Sequence, residues 1–202
     1  ALMGFTKRLH AAVGGFNPDI PIEDDEFCIR AHLAGFRIAR RETFIRNYEL
    51  PRGLFDNLRK RRPELGLKEC QLTANALRQF FLAYLKSGRK YVSMPSQVAD
   101  DLWHEFILFT RHYDAFCKGA FGGFLHHTPA AVLSPAQKKT NEGLRRVWWQ
   151  ACKEERIAPK SPATLPLLFA LDTELNIPGG YRYVPDCGSS RTVSTTVGIE
   201  LS

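Results

Sequence analysis

Apolar side chains recur at intervals of three and four residues through most of residues 51–176, which is the spacing of one face of an α-helix. The longest such stretch follows Ser96, a residue type that caps helix N-termini, and it predicts one helix over residues 97–117. Further periodic stretches predict helices over residues 67–85, 135–157 and 162–175. We therefore expect a mainly α fold.

The first 48 residues have a different pattern. Four consecutive acids, Glu23 to Glu26, suit the positive end of a helix dipole and predict a short helix that stops at Gly35. Residues 36–45 alternate in part between apolar and basic side chains, which is typical of a strand. A short α/β fragment is therefore expected to precede the helical domain.

The positive charge lies mainly where these two patterns meet. Residues 37–62 contain nine Lys or Arg and three acids, so this stretch supplies +6 of the net charge of +7. We predict a fragment over residues 1–48, a helical domain over 50–178, and an irregular C-terminal tail over 179–202 that is extended or disordered. Because the chain starts with Ala1 rather than Met, we expect it to be a piece of a longer protein.

Composition excludes some classes of function. No run approaches the roughly 18 apolar residues of a membrane span. The five cysteines are scattered without a CxxC pair, which favours reduced thiols and a cytoplasmic location. The arginines of residues 37–62 are not interleaved with stacking aromatics, so nucleic-acid binding is not expected. A protein partner is left open, since Trp148 and Trp149 could anchor either a core or an interface.

One cluster of residues could carry chemistry. On a helix, Asp100 and Asp101 lie one turn before His104, so a carboxylate and an imidazole share one face. A glycine-containing reversal after Cys117 could bring His126 or His127 beside them. One carboxylate with two imidazoles is a common ligand set for zinc or non-haem iron. The same residues could instead form a general acid/base pair or a purely structural hydrogen-bond network.

The segment MPSQVADDLWHEF, residues 94–106, resembles the signature of the glycine-rich-domain-containing-protein-like family. That signature has an Asp, two further residues and Trp-His, then a downstream Tyr and a His at the end of the next loop. The matching positions are Asp100, Trp103, His104, Tyr113 and His127. The resemblance covers about residues 50–185. It implies a helical domain with a shared polar cluster at Asp100, His104 and His127, walled by Trp103 and Tyr113, and no defined reaction.

The first segment resembles a different family. Gly14-Gly15-Phe16 followed by EDDEFCIRAHLAGFR, residues 23–37, is similar to the acceptor-side end of a family-2 glycosyltransferase. This resemblance implies Asp24 as the general base of sugar transfer from a nucleotide-sugar, in a truncated enzyme. Three functions are therefore open: a helical domain with a metal site, a truncated glycosyltransferase, or a non-catalytic interaction module. Whether the chain is an enzyme stays open too.

Overall fold

The computed structural model describes residues 23–127 and 141–184, with side chains from residue 33 onward. Within these ranges the chain forms seven α-helices and no strand, so the expectation of a mainly α fold is confirmed. The helices are α1 (Glu23–Asn47), α2 (Leu54–Arg61), α3 (Leu67–Lys86), α4 (Gln97–Leu108), α5 (Thr110–Phe121), α6 (Glu142–Glu154) and α7 (Leu167–Glu174). None of these described helices combines the length and apolarity needed to cross a bilayer.

Helix α3 is the centre of the fold. It contacts α1, α2, α4, α6 and α7, which is why half of its 20 residues are buried. Phe80 and Phe81 extend from α3 against Trp103 of α4, with ring centroids 5.0 and 6.1 Å apart. The face of α4 that carries Trp103 is thus fixed against the core, one residue before His104.

The prediction of a short α/β fragment is wrong, because residues 36–45 belong to the continuous helix α1. The apolar residues that suggested a strand were Phe36, Ile38, Phe44 and Ile45, and the first two have exposed side chains. The apolar contacts of α1 come instead from Phe44 and Ile45 near its C-terminus. The Phe44 ring lies so close to α5 that a Cβ at Gly119 would come within 2.6 Å of it.

The predicted helix over residues 97–117 is two helices. Phe109, with φ −78° and ψ 57°, interrupts the helix between α4 and α5. On a straight helix, Phe106 and Tyr113 would be separated by about 10 Å of rise. The interruption changes the direction of the chain and brings their ring centroids to 5.2 Å. Both helices present their apolar face to the same core. The apolar periodicity of the sequence is therefore continuous across Phe109 and does not indicate the break.

The remaining predictions agree in part with the structure. The predicted helix over 67–85 is confirmed as α3. Helices α6 and α7 lie within the predicted ranges 135–157 and 162–175 but are shorter, and residues 128–140 lie outside the described residues. The first residues of the predicted tail, 179–184, contain no helix or strand, and residues 185–202 lie outside the described part of the chain.

Candidate functional site

The first turn of α4 is held by a carboxylate from another helix. Ser96 caps α4 as predicted, and its hydroxyl donates to Asp172 Oδ1 at 2.7 Å. The backbone N–H groups of Gln97 and Val98 also donate to the Asp172 carboxylate, at 2.7 and 3.3 Å. These are groups that a helix N-terminus otherwise leaves without a partner. Asp100 follows in the same turn, so its backbone is fixed by α7.

Three predicted site residues are brought together around the Asp100 carboxylate. Oδ2 lies 3.4 Å from His104 Nδ1, and Oδ1 lies 3.1 Å from His127 Nε2. The two imidazole rings are 4.2 Å apart between centroids. One nitrogen or oxygen of each residue lies within 4.8 Å of those of the others. Neighbouring ligands about 2 Å from a tetrahedral ion are about 3.3 Å apart, so the two carboxylate-to-imidazole distances suit a shared cation.

His104 Nδ1 is buried and makes no hydrogen bond to any described residue. Although Asp100 Oδ2 is near, the two groups do not have hydrogen-bond geometry. A buried polar atom without a partner costs free energy and is uncommon in folded proteins. The imidazole nitrogen that faces Asp100 is therefore available to a further group.

The loop that carries His127 is tied to the core through two aromatic residues. Trp103 Nε1 donates to the Tyr113 hydroxyl at 3.0 Å, and that hydroxyl donates to the Leu125 carbonyl at 2.6 Å. Burial raises the pKa of Tyr113, so the phenol keeps its proton and remains a donor. Trp103 also meets the His127 ring edge-on at 4.7 Å. Trp103 is thus a wall of the site, while Tyr113 lies behind it, fully buried.

Two neighbouring candidates, Asp101 and His126, do not join this cluster. Asp101 is buried between Arg61 and Arg62, whose Nε atoms lie 3.1 and 2.8 Å from its carboxylate oxygens. It therefore joins α4 to α2 and does not reach the imidazoles. Of the two adjacent histidines, His126 is exposed and packs on Phe124 at 4.8 Å. Only His127 reaches Asp100.

A cavity of about 400 Å³ adjoins Asp100 and His127. Asp100, Trp103 and His127 form part of its wall. Tyr181 lines it as well, and the backbone N–H of Tyr181 donates to Asp172 at 2.9 Å. Burial and the nearby charges of Asp100 and Asp172 raise the pKa of Tyr181. The Asp172 carboxylate thus binds backbone N–H groups from two segments beside the site, the first turn of α4 and Tyr181.

Three groups around the site were not found from the sequence. Asp172, Tyr181 and the cavity residue Arg89 lie on separate segments, and none of them belongs to a local motif. Only the fold places them beside α4. The position of Asp172 directly after the apolar residues 167–171 is a weak signal, because a carboxylate in such a helix needs partners when buried.

The comparisons identify a different family from those suggested by the motifs. A family model described as UCP032817-like matches residues 40–201. No curated protein and no solved structure matches the chain. The resemblance to the glycine-rich-domain-containing-protein-like family is therefore wrong, because the match over its range is to another family. The glycosyltransferase resemblance finds no support either. The role of Asp24, which lies in the first turn of α1, rested on that resemblance alone.

Proposed function

The chain belongs to the UCP032817-like family, and we propose that it is a metal-binding protein whose divalent ion, zinc or iron, is held by Asp100, His104 and His127. The observation that carries the proposal is the convergence of one ligand atom from each residue within 4.8 Å. The buried and unpaired His104 Nδ1 supports it, since an ion would supply the missing partner.

The ligand types narrow the choice of metal. Imidazoles and a carboxylate suit zinc and ferrous iron, whereas calcium and magnesium prefer oxygen ligands alone. Zinc sites with three protein ligands keep a fourth position for water or substrate, and two histidines with one carboxylate leave open positions on ferrous iron. Because Asp100 and His127 also line the cavity, an open position would face the space in which a small molecule fits. This arrangement favours a reactive site over a purely structural one.

The surroundings support ligands that are held in place before the ion binds. Asp172 fixes the turn that carries Asp100, and Tyr113 fixes the loop that carries His127. Partners that orient metal ligands in this way raise affinity, because less motion is lost when the ion binds. Imidazole binds metals only in its neutral form, so acidification is expected to release the ion.

Metal analysis of the full chain, purified without a histidine tag and reconstituted separately with Zn²⁺ and Fe²⁺, tests the proposal. We expect one equivalent of one of these metals in the wild type and a loss of at least tenfold in affinity for His104→Ala and for His127→Ala. His126→Ala is the matched control, because His126 is adjacent in sequence but is exposed and packs on Phe124. No stoichiometric metal in the wild type, or equal binding by His104→Ala, would refute the proposal. In that case the cluster orders the fold, and His104→Ala lowers the melting temperature only.

A further inference from the structure

The cavity beside Asp100 and His127 has the form of a small-molecule site. Its volume of about 400 Å³ is at the small end of the range for ligand pockets. Buried side chains form its floor, namely Phe80, Val92, Trp103 and Leu125. Exposed side chains form its mouth, namely Arg89, Phe124 and His126. The cavity is therefore apolar inside and charged at its entrance.

Aromatic rings dominate the walls. Six of the described lining residues are aromatic: Phe80, Tyr84, Tyr91, Trp103, Phe124 and Tyr181. Rings surrounding a small cavity offer edge and face contacts to a planar aromatic ligand. Burial raises the pKa of Tyr84 and of Tyr181, so both phenols keep their protons and can donate hydrogen bonds. The walls thus suit an aromatic ligand that carries hydrogen-bond acceptors.

Arg89 gives the mouth its permanent positive charge. Among the described lining residues Asp100 is the sole acid, and it already faces two imidazoles. Arg89 Nη1 donates to the Phe121 carbonyl at 3.0 Å, which holds the guanidinium against the C-terminal end of α5. The guanidinium has five N–H groups, and its planar fork matches a carboxylate. A carboxylate at the mouth would therefore meet a fixed cation.

The backbone at Arg89 supports a role for its side chain. Its φ of 58° lies in the left-handed region, directly after Gly88 at φ 70°. Glycine adopts this conformation without strain, whereas a side chain adds a steric cost. Arg156 has the same conformation at φ 60°, is also exposed, and follows α6 rather than lining the cavity. Among the described residues two arginines have this conformation, and one of them lines the cavity.

We propose that the cavity binds a small aromatic carboxylate, with the carboxylate on Arg89 at the mouth and the ring between the aromatic walls. The far end of this ligand points toward Asp100 and His127. Its contact with an ion there rests on the proposed function, whereas the contacts with Arg89 and with the aromatic walls do not. The site is thus one for aromatic acids rather than for neutral or aliphatic molecules.

Calorimetric titration of the full chain with benzoate, benzamide and cyclohexanecarboxylate tests this inference, in the metal-free and the Zn²⁺-loaded protein. We expect benzoate to bind at least tenfold more tightly than neutral benzamide, and more tightly than the aliphatic acid. Arg89→Gly is expected to weaken benzoate binding about tenfold while the melting temperature stays the same or rises, since glycine suits the backbone. Arg156→Gly removes the same charge and the same strain elsewhere and should leave binding unchanged.

The outcomes separate this inference from the proposed function, because the metal content of each sample is measured as well. A chain that takes up neither Zn²⁺ nor Fe²⁺ on reconstitution but still selects benzoate through Arg89 keeps the inference and refutes the metal site. A metal-loaded chain that binds benzoate and benzamide equally, or neither, refutes the inference and keeps the metal site. Equal benzoate binding by wild type and Arg89→Gly refutes it as well. If Arg89→Gly does not fold, Arg89→Lys and the benzamide comparison on the wild type decide the question.

Discussion

Replacing Asp172 by alanine is expected to lower the free energy of unfolding far more than replacing Glu174, the other acid of α7. The Asp172 side chain is buried and accepts four hydrogen bonds. The donors are the Ser96 hydroxyl and the backbone N–H groups of Gln97, Val98 and Tyr181, at 2.7 to 3.3 Å. A net contribution of about 1 kcal/mol for each hydrogen bond gives a loss of about 4 kcal/mol in the free energy of unfolding.

This loss is large on the scale of domain stability, which is about 5–15 kcal/mol. For a chain of this size each kcal/mol lowers the melting temperature by about 2–4 °C, so we expect a fall of about 8–16 °C. Urea denaturation followed by circular dichroism measures the free energy. Glu174→Ala is the matched control, because Glu174 is an exposed acid on the same helix and its loss should change stability by less than about 0.5 kcal/mol.

The refuting result is a change below about 1 kcal/mol for Asp172→Ala, or a change equal to that of Glu174→Ala. Either result would mean that water replaces the carboxylate at the start of α4 without loss. The same variant is expected to bind metal more weakly, because Asp100 lies in the turn that Asp172 holds. A destabilised variant with unchanged metal affinity would separate the two roles.

Two further predictions follow from buried or partly buried groups. Tyr113→Phe leaves both the indole N–H and the loop carbonyl that its hydroxyl bridges without a partner, so we expect a loss of about 1–3 kcal/mol in urea denaturation; an unchanged value would contradict this. Burial alone would raise the pKa of Glu154, but hydrogen bonds from Arg46 and Lys86 outweigh burial and lower it. This stabilisation is present above the ordinary value of about 4.5 and is lost as the pH falls through the lower folded pKa. Glu154→Gln should flatten the acid side of the stability profile, while Glu142→Gln, in an exposed pair, should not.

The parts of the fold that could be predicted from the sequence are those set by local spacing. Helix α3 and the cap at Ser96 follow from periodicity and side-chain type, and Asp100 and His104 share a face because they are four residues apart. The break at Phe109 could not be predicted, because no Gly or Pro marks it and both helices bury the same kind of face. The strand prediction failed because a partial alternation of apolar and basic residues also occurs on α1, a helix whose Phe36 and Ile38 side chains are exposed.

The rest of the site depends on contacts between distant segments. Asp172 lies more than 70 residues from the turn it caps, and Arg89 reaches the C-terminal end of α5. A sequence pattern reports which face of an element is apolar, but not which polar group from elsewhere meets its end. The sequence also could not tell whether His126 or His127 pairs with Asp100. The conformation of the loop sets the direction of each side chain, and it brings only His127 of the two to Asp100.

Removal of the proposed metal ion is expected to leave the helices intact. The elements that carry the three ligands are held by contacts that need no ion: α4 by the core and Asp172, and the loop by Tyr113. Structural zinc sites behave differently, because their small domains unfold without metal. Far-UV circular dichroism after dialysis against a chelator should therefore be unchanged, while the melting temperature falls by the amount that ligand binding had added. Loss of helical signal on chelation would show that the ion builds the fold, and that the site is closed rather than open to the cavity.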